Sequence, residues 1–553
     1  RSKGSRSRQS PEQAAQLVVD FGGSLSGEHG DGQAKAEFLP LMFGEELMGA
    51  MREFKRIWDP QDRLNPGKLV SARGEVYRID HNLRAGPGYK TISIATRFQF
   101  RSAEGDGFQR AVERCVGMGK CRSMQGGAMC PSYRATREER FSTRGRSRLL
   151  WEMLQGKLIK DGWKSREVKQ ALDTCLSCKS CRSECPTHTD MASYKAEFLS
   201  HYYESNRRPL QAWLMGRIGD WAPWASSVPR LFNAMTQAPG LAWLAKRVAG
   251  VPAGRSLPRL AGQSFRQTVE GARPIDGRPR VLLWVDTFCE HFHPEIASAA
   301  WSVLGHAGMQ VVLPPKDLCC GRPLYDFGFL EQARRRLSDI LDRVAPLFEG
   351  PDAPIALVGL EPGCLSVFKD ELLKFFPDDP RAIALSTRTK MFGDFLSEID
   401  YRPPSYAVDV AVHAHCHQRA LFGVKGEEAL LTRMGARWRL LESGCCGMAG
   451  SFGFHRQHDA LSRSIGEQVL VPAQGALPAE TVIVTNGFSC REQIAYGVGT
   501  RALHLAELLW EAVLHAAGEP NDRSASLEGI VSEATAGAAS QSFADGCPQP
   551  CPR

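Results

Sequence analysis

The sequence has no long apolar run: its 553 residues contain nothing near the ~18 consecutive apolar residues that a membrane helix needs. A strong charge of either sign is also missing, because 69 basic and 61 acidic residues leave a formal net charge of only +8. The first absence excludes a membrane helix, and the second gives no nucleic-acid signature. The length predicts several domains.

A secretory signal and an initial methionine are missing as well, since the chain opens "RSKGSRSRQS". Without a signal, 17 cysteines indicate a reducing compartment, where clustered thiols bind metal or do redox chemistry. We therefore expect a cytoplasmic protein, and the opening residues predict an N-terminally truncated chain. Residues 518–553 predict a disordered tail in which Cys547 and Cys551 hold no ligand.

The first motif is "GGSLSGEHGDGQAK", where glycines surround Glu28 and His29. Glycines let a backbone approach a cofactor closely, although a solvated turn explains the pattern too. With the helical "EELMGAMREFKRIWDP" and then "RLNPGK", the stretch resembles the C-terminal end of FAD-linked D-2-hydroxy acid dehydrogenases. The resemblance covers roughly residues 10–70.

This resemblance implies roles for four side chains. His29 takes the hydroxyl proton of a small 2-hydroxy acid as hydride leaves for flavin N5, and Glu28 helps to bind a divalent metal such as zinc. Asn65 and Lys68 face the flavin, although a helix end at Pro66 explains that stretch equally well. The family's FAD-binding domain would lie upstream of this sequence.

The second pattern is a pair of cysteine motifs, "CVGMGKCRSMQGGAMCP" and "CLSCKSCRSECP". Structural zinc prefers two cysteine pairs separated by a loop. Here the second motif has three thiols at three-residue steps, and both motifs end in a cysteine before proline, a spacing typical of iron-sulfur clusters. The cysteines are Cys115, Cys121, Cys130, Cys175, Cys178, Cys181 and Cys185.

Together the motifs resemble a two-cluster ferredoxin, in which the last cysteine of each motif ligates the other cluster. The resemblance implies one complete 4Fe-4S set, made of Cys175, Cys178, Cys181 and Cys130. The second set has Cys115, Cys121 and Cys185, with Met118 in place of a thiolate. Three alternatives stay open for the second site: it holds a three-iron cluster, it recruits another ligand, or it is empty.

The third pattern is a duplication of cysteines in two sets. The sets are Cys289, Cys319, Cys320 and Cys364, then Cys416, Cys445, Cys446 and Cys490, with steps of 30, 1 and 44 residues and of 29, 1 and 44 residues. Six strand-like runs alternate with helical stretches, which predicts parallel sheets with crossover helices; the runs are "RVLLWVD", "QVVLP", "PIALVGL", "VDVAVHA", "WRLLE" and "TVIVTN". Each cysteine or pair follows a strand, at the edge where such sheets bind ligands.

Both sets resemble the cysteine-rich CCG domain, whose full motif has a fifth cysteine where Val367 and Gln493 stand here. We predict the eight cysteines as metal ligands, with a smaller cluster, a redox disulfide, a quinone-facing surface and buried inert thiols as open alternatives. His415 and His417 flank Cys416, and local packing is the favoured role for both.

Trp213, Trp221, Trp224 and Trp243 lie in a basic, aromatic segment before the first set. Core-packing helices that link two domains are the favoured interpretation, and contact with a membrane surface, at its inner face, is the alternative. The predicted fold is multidomain, α/β and α. The predicted domains are a C-terminal part of a FAD-linked oxidase (1–75), a linker (76–104), a helical dicluster ferredoxin domain (105–205), a Trp-rich helical linker (206–275), module 1 (276–400) and module 2 (401–517).

These parts predict an oxidoreductase of the fused FAD-linked and iron-sulfur type, acting on D-2-hydroxyglutarate or D-lactate. Electrons would pass from FAD through 4Fe-4S clusters to a quinone or a soluble carrier. A noncatalytic iron-sulfur subunit of the glycolate oxidase kind is the alternative function.

Overall fold

The computed structural model describes residues 3–73, 76, 78, 92–101, 106–271, 277–442 and 444–518. Cys547 and Cys551 lie outside these residues. The chain divides into two compact units, Arg1–Ile92 and Ser93–Arg553. Within the described ranges, no helix combines the length and the hydropathy that a bilayer span requires.

The first unit is helical. Its helices are α1 (Lys3–Asp20), α2 (Gly32–Lys35) and α3 (Leu39–Trp58), with a 3-10 turn at Ala36–Phe38. The glycine-rich motif links α1 to α2, and Gly27 and Gly30 have positive φ angles of 54° and 77°, which favour glycine. Helix α3 ends at Trp58, where the Asp59 carboxylate accepts hydrogen bonds from the amides of Arg63 and Leu64.

The dicluster segment, residues 105–205, is a set of short helices around the two cysteine motifs. The helices are α4 (Phe108–Glu113), α5 (Pro131–Thr136), α6 (Thr143–Gln155), α7 (Arg166–Asp173), α8 (Ser180–Glu184) and α9 (Met191–Ser205). Apolar side chains such as Phe108, Leu150 and Phe198 form one buried core with Cys121 and Cys181. The core therefore fixes the loops that carry the thiols.

The Trp-rich segment contains α10 (Leu210–Gly216), α11 (Ile218–Ala225), α12 (Pro229–Gln237), α13 (Leu241–Ala249) and α14 (Phe265–Thr268). Trp221 packs against Phe232 at a centroid distance of 5.7 Å. Trp224 and Trp243, by contrast, are 80% and 59% exposed. The core-packing interpretation therefore fits Trp221 and is wrong for Trp224 and Trp243.

Module 1 is a four-stranded parallel sheet in the order β2-β1-β3-β4, and its helices connect the strands. Its elements are β1 (Arg280–Trp284), α15 (Thr287–His291), α16 (Pro294–His306), β2 (Gln310–Val312), α17 (Arg322–Asp326), α18 (Leu330–Val344), β3 (Leu357–Gly359), α19 (Pro362–Ser366), a π-helix (Val367–Glu371), α20 (Leu372–Phe375), α21 (Pro380–Arg388), β4 (Thr389–Met391) and α22 (Phe392–Glu398).

Module 2 is a three-stranded parallel sheet in the order β6-β5-β7. Its elements are β5 (Asp409–Val412), α23 (Cys416–Leu421), α24 (Lys425–Arg433), β6 (Arg437–Leu440), α25 (Asp459–Gln468), α26 (Leu470–Gly475), β7 (Val482–Val484), α27 (Phe488–Val498) and α28 (Leu505–Ala516). The predicted α/β class with parallel sheets is confirmed.

Alternate residues of β1 enter different cores, as the period of two in a strand requires. Val281 and Leu283 face a core that also contains Val410 of β5 and Leu508 of α28, whereas Trp284 faces a second core with residues of α18. Both faces of the sheet in module 1 are thus covered, and the two modules share one apolar core. This packing brings the cysteine-bearing strand ends of the two modules together.

Candidate functional site

In the first unit, Glu28 and His29 form a surface pair. The Glu28 Oε1 and His29 Nε2 atoms are 3.6 Å apart, and both side chains are more than 80% exposed. Asn65 and Lys68 share one exposed turn, where the Lys68 amide donates to the Asn65 carbonyl at 3.3 Å. The roles predicted for these four residues stay predictions.

Sequence reasoning missed the group that holds this turn. Lys55 Nζ lies 2.7 Å from the Asp59 carboxylate and 3.2 Å from that of Asp62, and Ser71 donates to Asp62. The hydrogen bond from Lys55, together with two backbone amides, lowers the pKa of Asp59 to about 2. The closely spaced charges in "KRIWDPQDR" are the signal that could have revealed it.

The second cysteine motif brings three thiols together. Ser177 and Lys179 adopt left-handed φ angles of 53° and 59°, which turn the loop so that Cys175, Cys178 and Cys181 interact. Burial raises the pKa of Cys178 to about 12 and that of Cys181 well above the ordinary range. Thiolates here need a compensating cation, and a cluster of iron and sulfide fits this donor set.

The first motif is arranged differently. Cys130 lies beside Cys121, and the hydrogen bond between them lowers the pKa of Cys121 to about 6. Cys130 Sγ also accepts from the amide of Thr143 at 3.0 Å. Met118 is 66% exposed, so its loop presents the thioether to solvent.

Cys185 and Cys115 complete the thiols of this segment. Cys185 Sγ lies 3.2 Å from Thr187 Oγ1, and Cys115 is buried. The set that joins Cys130 to Cys175, Cys178 and Cys181, and the partial set that uses Cys185, both stay predictions.

A buried ionic network, absent from our sequence reasoning, joins the second motif to module 1. The fully buried Lys179 pairs with Asp370 and lies 2.6 Å from Glu371. Arg322 reaches Glu371 at 2.9 Å. Burial lowers the pKa of Lys179 to about 8. Lys179 and Asp370 are 191 residues apart in sequence, so the sequence gave no signal of their contact.

In module 1, the structure differs from the prediction for two cysteines. Cys320 and Cys364 form a disulfide, so neither offers a thiolate ligand unless the bond is reduced. The redox disulfide was one of the open alternatives. Cys289 lies in the first turn of α15, where its amide donates to the Asp286 carboxylate at 3.2 Å, and Cys319 Sγ lies 3.4 Å from Thr287 Oγ1.

In module 2, the sulfurs of Cys446 and Cys490 are 3.6 Å apart. Their ligand atoms and that of His413 all lie within 4.8 Å of one another, and all three residues are buried. Hydrogen bonds from Cys445 and Cys490 lower the pKa of Cys446 well below its usual value. These donors suit a soft metal ion.

The sequence had drawn attention to His415 and His417 rather than to His413. His415 caps α23 by accepting from the amide of His417, and His417 Nε2 donates to the Ser177 carbonyl at 3.0 Å. The packing role favoured for both thus agrees with these contacts. His413 directly follows β5, three residues before Cys416, and this repeated spacing, also seen for Asp286 before Cys289, was the signal available.

The two positions of the missing fifth cysteine are filled. Val367 is fully buried in the apolar core of module 1. The Gln493 side chain accepts from Arg255 at 2.6 Å and is buried with it. Neither place leaves a sulfur donor, which weakens the case for a five-thiol cluster.

A cavity of about 370 Å³ lies between the two modules, the dicluster segment and the Trp-rich helices. Its walls include Cys178, Cys416, Cys319 and the bonded Cys320 and Cys364. Cys178 also packs against the buried cluster that contains Cys416 and Leu176. The thiols of three segments thus meet around one space.

Three family models match parts of the chain. Residues 3–69 match the C-terminal domain of FAD linked oxidases, residues 111–189 match a 4Fe-4S dicluster domain, and residues 286–369 match the cysteine-rich CCG domain. The chain therefore has the domain set of fused FAD-linked oxidase and iron-sulfur proteins, as the sequence resemblance predicted.

Particular relatives sharpen this assignment. The chain is 27% identical to the D-2-hydroxyglutarate dehydrogenase of Escherichia coli (strain K12), over 92% of its own length and 53% of that protein. It is 24% identical to the probable glycolate oxidase iron-sulfur subunit of Bacillus subtilis (strain 168), over 76% of the chain and 97% of that subunit. The chain spans about half the length of the D-2-hydroxyglutarate dehydrogenases that it matches.

Proposed function

We propose that the chain is the iron-sulfur relay part of a FAD-dependent D-2-hydroxy acid dehydrogenase, with D-2-hydroxyglutarate as the first substrate to test. The observation that carries this proposal is that Cys178 packs in one buried cluster with Cys416 and lines the same cavity. It links the 4Fe-4S dicluster segment to a cysteine module without an intervening domain. Similarity to D-2-hydroxyglutarate dehydrogenases over 92% of the chain supports the substrate class.

In this proposal, Cys175, Cys178 and Cys181 hold one cluster, with Cys130 as the predicted fourth ligand. The cluster supplies one-electron transfer when bound. The chain's own contribution is position, because the Lys179 network and the hydrogen bond from His417 to Ser177 fix the cluster loop against both modules.

For the first unit, we propose that His29 accepts the hydroxyl proton of the 2-hydroxy acid and that Glu28 helps to hold a divalent metal. FAD would accept the hydride when bound. Asn65 and Lys68 would contact the flavin. The exposure of Glu28 and His29 leaves both free to meet a substrate.

The relay is tested by anaerobic reconstitution with iron and sulfide. We expect acid-labile sulfide and a paramagnetic signal after reduction with dithionite, and loss of both in Cys178→Ser. The matched control is Cys547→Ser, a cysteine that belongs to none of the predicted ligand sets. A colourless protein that binds only zinc would contradict the proposal.

The dehydrogenase activity is tested on the protein as its gene encodes it, with FAD, a dye acceptor and either D-2-hydroxyglutarate or D-lactate. We expect dye reduction that is lost in His29→Asn. Flavin that neither acid bleaches would favour the second candidate, a noncatalytic iron-sulfur subunit. The match over 97% of the Bacillus subtilis subunit is the observation in favour of that candidate.

A further inference from the structure

The cavity between the modules has the walls of a site for an apolar molecule. Its lining includes Leu214, Ile218, Trp221, Phe232 and Phe288, which come from the Trp-rich helices and from α15. Its volume of about 370 Å³ falls in the ~300–1,000 Å³ range of small-molecule sites. A cluster held by thiols would not need this apolar wall.

The charges in the lining disfavour an anion. Three carboxylates, those of Asp286, Asp326 and Glu361, face one guanidinium, that of Arg322. Arg322 is already paired with Asp326 and with Glu371. The carboxylate of a 2-hydroxy acid would meet net negative charge here, whereas a neutral ligand would not.

Two polar atoms of the lining residues make no hydrogen bond within the described part of the chain. They are Oδ2 of Asp286 and Nδ1 of His417. Oδ1 of Asp286 already accepts from two amides, and Nε2 of His417 donates to Ser177, so both remaining atoms are acceptors. Ser489 accepts from the amide of Gly450 and keeps its own hydrogen to donate.

The cavity reaches the surface where apolar residues are exposed. Met235 lines the cavity and is 52% exposed. On the neighbouring turns of α12 and α13, Leu231, Leu244 and Val248 are each more than 50% exposed. A ligand that enters here from a lipid phase would cross apolar surface throughout.

We propose that this cavity is the binding site of a lipid-soluble quinone that accepts electrons from the cluster at Cys178. The inference rests on the proposed relay function and deepens it by naming the acceptor and its site. Each reduced cluster releases one electron when it is oxidised. Two electrons therefore come from two reduced clusters, or from one cluster that is reduced and oxidised twice. The quinone gains two electrons and takes two protons from water, so that both C=O groups become C–OH.

One hydroxyl of the lining suits the oxidised ligand, because a quinone carbonyl accepts a hydrogen bond from a hydroxyl such as that of Ser489. Cys178 itself lines the cavity, so a cluster bound through it borders the ligand.

The test uses the full chain and a fully substituted 1,4-benzoquinone with a short alkyl tail, because such a ring cannot add thiols. Ala245→Trp fills the cavity from α13, and Leu241→Trp adds the same ring at an exposed position of the same helix that does not line the cavity. Reconstituted protein is reduced with dithionite, the excess dithionite is removed, and the protein is mixed with the quinone or with ferricyanide.

We expect Ala245→Trp to slow reoxidation by the quinone at least about tenfold, which corresponds to about 1.4 kcal/mol. Reoxidation by ferricyanide should be unchanged, and Leu241→Trp should match the wild type with both acceptors. Equal rates in Ala245→Trp and the wild type, or an equal slowing with both acceptors, would overturn the proposal.

A binding measurement decides the inference even if the chain holds no cluster. The quinone quenches tryptophan fluorescence, and Trp221 lines the cavity. We expect saturable quenching in the chain without clusters, smaller in Trp221→Phe and at least about tenfold weaker in affinity in Ala249→Phe, a second filling variant. Quenching that does not saturate, or that is the same in Ala249→Phe, would reject the quinone site independently of the relay.

Discussion

In module 1 the second cysteine of the Cys-Cys-Gly corner is bonded to the cysteine 44 residues later, whereas in module 2 the sulfurs of Cys446 and Cys490 remain 3.6 Å apart. The neighbours differ too. In module 1, Asp286 and Glu361 stand three residues before Cys289 and Cys364. In module 2, His413 stands three residues before Cys416. A duplicated spacing has therefore kept the positions of the sulfurs while the surrounding donors have changed.

The modules also meet the dicluster segment in different ways. Module 1 uses buried charges, in which Lys179 and Arg182 pair with Asp370. Module 2 uses the neutral contact from His417 to the Ser177 carbonyl and the approach of Cys416 to Cys178. We infer that module 1 anchors the cluster loop and that module 2 lies on the path of the electrons.

The largest expected effect tests the anchor. Asp370→Ala leaves Lys179 buried with one fewer partner, which should lower the free energy of unfolding by about 3 kcal/mol. His417→Phe removes one hydrogen bond on the module 2 side and should cost about 1 kcal/mol. Urea denaturation measures both.

Asp378→Ala is the matched control, since it removes an exposed pair with Arg101 and should leave the denaturation midpoint unchanged. The double variant Lys179→Met, Asp370→Leu should recover most of the lost stability, because it removes both buried charges. A loss in His417→Phe as large as that in Asp370→Ala would break the comparison.

The second prediction concerns a buried acid of module 2. Burial raises the pKa of Glu427 to about 7, and Gln418 donates to its carboxylate at 2.7 Å. Since the folded state holds this proton more tightly than the unfolded state, stability is full below about pH 4.5 and falls as the pH rises through 7. The fall should approach about 3 kcal/mol.

Glu427→Gln should flatten that part of the pH profile of the denaturation midpoint. Glu428→Gln, at the next position on the same helix, is the control and should keep the wild-type slope. An unchanged slope in Glu427→Gln would show that the acid lowering stability in this range lies elsewhere.

The third prediction is that metal binding distinguishes the pair Cys446 and Cys490 of module 2 from the pair Cys320 and Cys364 of module 1. We expect anaerobic, reduced protein to bind cobalt at His413, Cys446 and Cys490, with a sulfur-to-metal absorption band. His413→Ala should weaken this binding at least about tenfold, by analogy with the loss of supporting groups at metal sites. Cys320→Ser in module 1 should leave it intact, and equal weakening by both variants would contradict the difference between the modules.

The sequence predicted six of the seven strands found in the described residues, because apolar runs bounded by turns identify buried parallel strands well. It missed β4, whose three residues include Lys390 and carry no apolar pattern. It found the cysteines by their spacing but not Lys179 and Asp370, whose pairing depends on how distant segments dock. The sequence did not single out His413, because one histidine directly after a strand has no periodicity.

The smallest expected effect concerns the outer strands of the two sheets. In module 2, Arg437 and Asp409 are direct neighbours on β6 and β5, and the Arg437 guanidinium makes two hydrogen bonds to the Asp409 carboxylate at 2.7 and 2.8 Å. In module 1, the corresponding neighbours are Arg280 and Gln310, which carry no such pair of charges. The pairing with Arg437 lowers the pKa of Asp409, but the site is exposed, so solvent screens the attraction.

Arg437→Gln, which gives module 2 the uncharged partner found in module 1, should therefore shift the urea midpoint by no more than the error of the measurement. A clear loss of stability would mean that this edge of module 2, unlike that of module 1, depends on charge to keep its strands in register.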